Sequence, residues 1–174
     1  MRIEARLPDA EALRRVILAP FEGAGVRVRF VDRSAGRPAQ AELSQRCFQS
    51  LHEATGGSPL GAWAHWLCRL EGDGDAGRLD APPIEVPELD FVRDLDHAGL
   101  LTLASLLQHG GLTASEHAEL FLSPVAASAR LLDRLAATGL IDREGGHGPE
   151  ERYDANPVVA WRLAEILRAV NVLP

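Results

Sequence analysis

The sequence predicts a mostly α-helical chain in two parts: a three-helix bundle, then a helix-turn-helix followed by one β-hairpin and a closing helix. Three observations lead there. Apolar residues recur at three- and four-residue spacing in several segments bounded by capping residues or glycine. A run from Glu71 to Pro87 holds Gly72, Gly74, Gly77, Pro82, Pro83 and Pro87 beside Asp73, Asp75 and Asp80, a composition that sustains neither helix nor central strand. Two short segments, Leu140–Arg143 and Glu151–Asp154, flank the glycine-rich Glu144–Glu150, as in a hairpin with a loose tip. With 174 residues, 46% of them hydrophobic, the chain suffices for one ordinary domain or two small ones and is neither fibrous nor disordered.

In the first part, residues 1–71, Asp9 caps a helix over Ala10–Ala19 that ends at Pro20, with Leu13, Val16 and Ile17 on one face. Val26, Val28 and Phe30 alternate with Arg27 and Arg29 in a short extended arm. A helix over Gln40–Ala54 places Leu43, Cys47, Phe48 and Leu51 on one stripe and ends at Thr55-Gly56-Gly57. Ser58-Pro59 starts a third, to Leu70, with Leu60, Trp63, Leu67 and Leu70 inward and Trp66 left to the surface. Residues 72–87 are read as a linker.

In the second part, residues 88–174, a helix over Asp94–His109 stops at Gly110-Gly111 with Leu95, Leu103, Leu106 and Leu107 as core candidates. Thr113-Ala114-Ser115-Glu116 has the form of a capping box, in which the threonine hydroxyl and glutamate carboxylate satisfy free amides at a helix start; it opens a short helix to Phe121. Ser123-Pro124 caps a longer one to Thr138, burying Val125, Ala129, Leu132 and Leu135. After the hairpin, Asn156-Pro157 opens a last helix to Val170 with Val159, Leu163, Ile166, Leu167 and Val170 inward. This order of elements is that of a winged helix, the hairpin being the wing.

The Thr113–Asp154 segment resembles the winged helix-turn-helix superfamily. The whole chain is similar to the C-terminal part of AAA+ or STAND-type P-loop ATPases, where a helical lid precedes a winged helix. The resemblance is carried by Leu13-Arg14-Arg15-Val16-Ile17-Leu18, the arm Val26–Phe30, and Phe48–Leu70 around Gly56-Gly57-Ser58-Pro59. It implies a lid-like first part, in which that family carries a Gly-Asn-Pro-Arg stretch whose arginine reaches the nucleotide phosphate. Here Ser58 replaces the asparagine and Leu60 the arginine. The chain contains no lysine, so it holds no Gly-x-x-x-x-Gly-Lys-Ser/Thr loop for phosphates. No ATP hydrolysis is expected of this polypeptide alone, and association with a P-loop ATPase domain is.

All 18 basic residues are arginine, which fits a GC-rich coding sequence. Up to Leu79 the balance is +1; from Asp80 on, seven arginines face 15 acids, for −8. Phosphate binding draws its affinity from Lys and Arg, so a part this acidic binds DNA only by gathering its positive charge on one face. The expected contact residues are Ser123, Ser128, Arg130, Arg134 and Thr138 on the recognition helix, with Arg143, His147 and Arg152 on the wing. Asp133 lies between the helix arginines, and Asp142, Glu144, Glu150, Glu151 and Asp154 surround those of the wing. The expected partner is therefore a protein, with duplex DNA as the alternative. His147 reads as a solvated loop histidine, and His109 and His117 lack the spacing and neighbours of a metal pair. No nucleophile elbow frames any serine, so no catalytic residue, cofactor or metal is expected. Cys47 and Cys68 read as buried thiols in a cytoplasmic protein without a membrane span.

Overall fold

Asp9, Asp96 and Thr113 each accept a hydrogen bond from a free amide at a helix start, and these caps frame a mostly helical chain with two small sheets. The computed structural model describes residues 7–32, 38–72, 77–145 and 151–173. The chain divides into two units, Met1–Pro87 and Glu88–Pro174. No helix among the described residues is long and apolar enough to cross a membrane.

In the first unit, helix α1 (Ala10–Gly23) is capped by Asp9, which accepts from Ala12 N at 2.8 Å. It runs past Pro20, where the sequence reading stopped it. Proline forfeits one amide donor, but its carbonyl still accepts from Ala24 N at 3.0 Å. Strand β1 (Arg27–Phe30) pairs in parallel with β2 (Arg78–Ala81), Arg27 opposite Arg78 and Phe30 opposite Ala81, and Arg29 forms a bidentate pair with Asp80. The Gln40 amide, at the start of helix α2 (Gln40–Thr55), accepts from Phe30 N at 2.9 Å and donates to Phe30 O at 2.7 Å, standing in for a neighbouring strand.

The expectation that 72–87 is a linker needs correction. Part of it is β2, and Ala81 and Ile84 lie in the core of the first unit. Pro82 and Pro83 follow the last paired residue, so the ladder loses no donor to them.

The apolar stripe of helix α3 (Pro59–Arg69) is also corrected. Leu60 is 72% exposed and Leu67 58%, Trp63 is half-buried, and Trp66, at 1%, is the largest fully buried side chain of the helix. Gly61 and Ala62, both buried, let this side of α3 approach closely, and the single Trp66 ring fills the space against Phe48, centroids 5.2 Å apart. Cys47 is buried, but Cys68 is exposed.

Gly57, in the turn before α3, has φ +83°, and a Cβ there would lie 2.6 Å from the Pro8 carbonyl oxygen. Gly57→Ala is expected to destabilise this unit by about 2–4 kcal/mol, from left-handed strain plus overpacking. Urea unfolding of the full chain measures it, and a loss below about 1 kcal/mol would mean the turn relaxes freely.

In the second unit, a 3₁₀ turn (Asp90–Asp94) precedes helix α4 (His97–His109), capped by Asp96 rather than begun at Asp94, because Leu95 between them is extended. Thr113 and Glu116 form the anticipated capping box of α5 (Ala114–Leu120), at 3.1 and 2.8 Å. Helix α6 (Val125–Ala137) buries Leu132 and Leu135, but Val125 is 52% exposed at its first turn. Strands β4 (Ile141–Glu144) and β5 (Arg152–Ala155) are antiparallel. The short β3 (Leu112–Thr113) adds to β5, giving the order β3-β5-β4 where the sequence reading had two strands. Asn156 holds a turn, so α7 (Ala160–Ala169) starts three residues later than expected. Leu103, Leu106, Leu132, Leu163 and Leu167 form the core between these helices.

Candidate functional site

The helix α5, the turn and the helix α6 carry most of the expected contact residues. Here α5 ends in a Schellman motif: Ser123 N donates to Ala118 O at 3.0 Å and Leu122 N to Glu119 O at 3.4 Å. The residue between, Leu122, takes the left-handed conformation, φ +49°, at the position where glycine normally sits. It is also 94% exposed, with Leu120 at 48% and Val125 at 52% beside it in sequence. A leucine there is strained and unburied at once.

Under the turn runs a buried polar chain. Thr102 Oγ1 donates to Ala98 O at 2.7 Å, so its oxygen accepts from His117 Nε2 at 2.9 Å. His117 Nδ1 then accepts from Ser128 Oγ at 2.9 Å, and Ser128 accepts from Ser123 Oγ at 2.8 Å. The chain joins α4, α5 and α6 and fixes the neutral tautomer of His117 with its proton on Nε2. Burial holds the imidazole below its ordinary pKa, and Phe121 stacks on it at 4.4 Å.

Of the sequence-derived contact residues, Ser128 is 2% exposed and belongs to this chain, and Ser123 is half-buried with its hydroxyl turned to Ser128. Neither is a surface contact. The apolar stripe of α6 puts Ser128 inward, in line with Leu132 and Leu135, and the buried histidine requires a hydroxyl there. Thr138 is exposed, though its hydroxyl donates to Leu135 O at 2.6 Å. Arg143 pairs with Asp133 at 2.8 Å and lies 5.8 Å from the Tyr153 ring centroid. Arg152 pairs with Glu116 at 3.3 Å and donates to Gly111 O at 2.7 Å. Arg130 and Arg134, one turn apart, are exposed and make no ion pair among the described residues. His147 lies outside the described residues.

The hairpin is acidic on one face, where Asp142 stands opposite Asp154. Burial, and then Asp154, raise the Asp142 carboxyl above its usual range. Tyr153 donates to Asp133 Oδ1 at 2.9 Å with Glu151 Oε2 3.2 Å away, and burial and these carboxylates push its phenol up.

In the first unit, a pocket of about 240 Å³ opens where β1 and β2 end, lined by Phe30, Asp32, Leu43, Arg46, Cys47 and Ile84 among others. Burial pushes the Cys47 thiol up to about 12, which makes it a packing group and not a nucleophile. Among the described residues no group of three or more His, Cys, Asp and Glu is placed to hold a metal.

Sequence reasoning missed Leu122 and the role of His117. A glycine-less turn between two predicted helices was the available signal for the first, although Ser123, expected to cap α6, gives its hydroxyl to Ser128 and Pro124 stands at the N-cap without a side-chain hydrogen bond. The second had none, because the serine, histidine and threonine lie on three different helices.

No family model matches the chain, and no curated protein does. A solved structure, the YusO protein from Bacillus subtilis, is similar at 28% identity over 47% of this chain, with a TM-score of 0.33. The match spans 65% of that protein, less than two thirds of its length. A score this low establishes neither fold nor function.

Proposed function

We propose that the chain is a non-catalytic interaction module of, or derived from, an ATP-driven regulatory protein, in which Glu88–Pro174 is a winged helix that docks a protein partner. The docking surface is the α5–α6 turn, the exposed side of α6 and the β4–β5 hairpin. One observation carries the choice of partner: both wing arginines are neutralised within the unit, Arg143 by Asp133 and Arg152 by Glu116. A duplex would have to break these pairs and approach Asp142 and Asp154 as well. The lid reading of Met1–Pro87 is supported by the Gly56-Gly57 turn and the Ser58 cap, which accepts from Gly61 N at 3.3 Å. Leu60, where the resemblance places a phosphate-reaching arginine, is 72% exposed and cannot serve that purpose.

Arg130 and Arg134 favour the second reading, a DNA-binding regulator, because they are exposed on α6 and make no ion pair among the described residues. Fluorescence anisotropy on a duplex of about 20 base pairs at about 50 and 200 mM salt separates the two. The docking reading expects no saturation below about 10 µM duplex. These two arginines support a salt slope of about −1.8, roughly a twelvefold loss over that range. Sub-micromolar binding with a slope near −3.6 would require Arg143 and Arg152 as well, and would replace a protein partner by DNA.

A further inference from the structure

The surface contains an element that the folded chain does not need. Leu122 occupies a left-handed position that glycine would fill without strain, and it buries almost nothing in return. The turn holding it is tied to the core on either side, Phe121 by stacking on His117 and Ser123 by its hydrogen bond to Ser128. A strained, exposed and firmly presented leucine, with Leu120 and Val125 half-exposed nearby, has the form of an anchor for a partner's pocket.

Charge identifies the partner further. Arg130 and Arg134 lie about 7.5 and 13.5 Å along α6 from Val125, at 1.5 Å per residue, and the exposed side they share carries Ala126 and Ala137. Asp133, which lies between the two arginines in sequence, is taken by Arg143 at 2.8 Å, and the small side chains beside the two guanidiniums, unpaired among the described residues, leave room for a partner's carboxylates to reach both in bidentate geometry. The exposed Glu119 lies next to Leu120 on the other side of the turn. A protein segment can put its acids opposite the two arginines and none near Glu119. A duplex carries a charge about every 1.7 Å and cannot.

From this we infer that Leu122 and the Arg130–Arg134 pair together receive an amphipathic helical segment of a partner protein, apolar on one face and acidic beside it. The inference rests on the docking function proposed above and adds the anchor and the chemistry of the partner.

Its test uses the full chain and three fluorescein-labelled probes: an acidic amphipathic peptide of about 18 residues, roughly 27 Å as a helix, with leucines on one face and glutamates flanking them; its twin with lysines for glutamates; and the duplex. The acidic peptide is expected to bind in the range of about 10–100 µM, at least about tenfold tighter than the lysine twin. Leu122→Gly is expected to weaken that binding at least about tenfold while raising the midpoint of thermal unfolding, so lost binding cannot be lost fold. R130E/R134E is expected to reverse the preference between the peptides.

Unchanged binding by Leu122→Gly, or no saturation by the acidic peptide at about 1 mM, overturns the inference. Tighter binding of the lysine twin that still depends on Leu122 overturns the charge assignment but leaves protein docking standing. Duplex binding without either peptide overturns both. Concentration-dependent dimerisation abolished by Leu122→Gly would assign the patch to a second copy of the chain instead.

Discussion

Replacing His117 by alanine is expected to destabilise the Glu88–Pro174 unit by about 4 kcal/mol, a large share of what a unit this size has. The imidazole is 2% exposed and bonded at both nitrogens. Removing it leaves the buried Ser128 hydroxyl without its acceptor, about 1–3 kcal/mol, and forfeits the ring stacked on Phe121, about 0.5–1.5 kcal/mol. The cavity left behind adds the rest. Thr102 suffers less, because its hydroxyl donates to Ala98 O whatever happens to the ring. The double change His117→Leu with Ser128→Ala should therefore recover at least half of the loss, since it removes donor and acceptor together. Urea unfolding, with hydrogen exchange on the α4 to α6 amides to isolate this unit, measures both. If His117→Ala cost under about 1 kcal/mol, the chain of hydroxyls would contribute little and the turn would be held by apolar packing alone.

The same ring gives this unit a pH dependence with a definite sign. Burial lowers the folded-state pKa of His117 below its unfolded value near 6.5, so the unfolded chain binds the proton more readily. Its contribution is complete above that value and is lost as the pH falls through the folded pKa. Glu116 acts lower on the scale: the Thr113 amide holds its carboxyl below the usual carboxylate range, and its contribution is lost only when carboxylates protonate. His117→Leu should flatten the upper of these two acid limbs and leave the lower one in place.

Legibility from sequence followed how local each feature is. The cap at Asp9 and the capping box at Thr113–Glu116 involve residues three apart, and both formed as their spacing predicted. The β1–β2 pair joins residues 51 apart, Arg29 with Asp80, and nothing in a Gly/Pro-rich run announces a partner so distant. The candidate site divides the same way. Exposed Arg130 and Arg134 followed from the helical period of α6, whereas the pairing of Arg143 with Asp133 depended on how the hairpin returns past α6. Ser128 was misjudged because hydroxyls are read as surface groups unless a buried partner is known, and that partner sits on another helix.

The α3 helix provides the sharpest test of that lesson. Two stripes compete on it: Leu60, Trp63 and Leu67, which the hydrophobic period selects, and Gly61, Ala62, His65 and Trp66, which the fold buries. Burial of the second stripe follows from contact distance. Small residues let α3 settle against α1 and α2, and there Trp66 meets Phe48, Phe30 and Phe21, at ring separations of 5.2, 6.1 and 6.4 Å. Trp66→Ala should then cost the Met1–Pro87 unit about 4 kcal/mol, as for a large aromatic removed from a packed core, and Leu67→Ala less than about 0.5 kcal/mol. Trp66→Phe should fall between them and nearer the second. The indole Nε1 finds no hydrogen-bond partner among the described residues, so its removal relieves a desolvated donor while most of the ring contact remains. Thermal unfolding of the three variants gives the order directly. A Leu67→Ala loss equal to that of Trp66→Ala would mean that α3 is turned about its axis to bury the leucine stripe, and with it the docking of α3 on α2 would have to be redrawn.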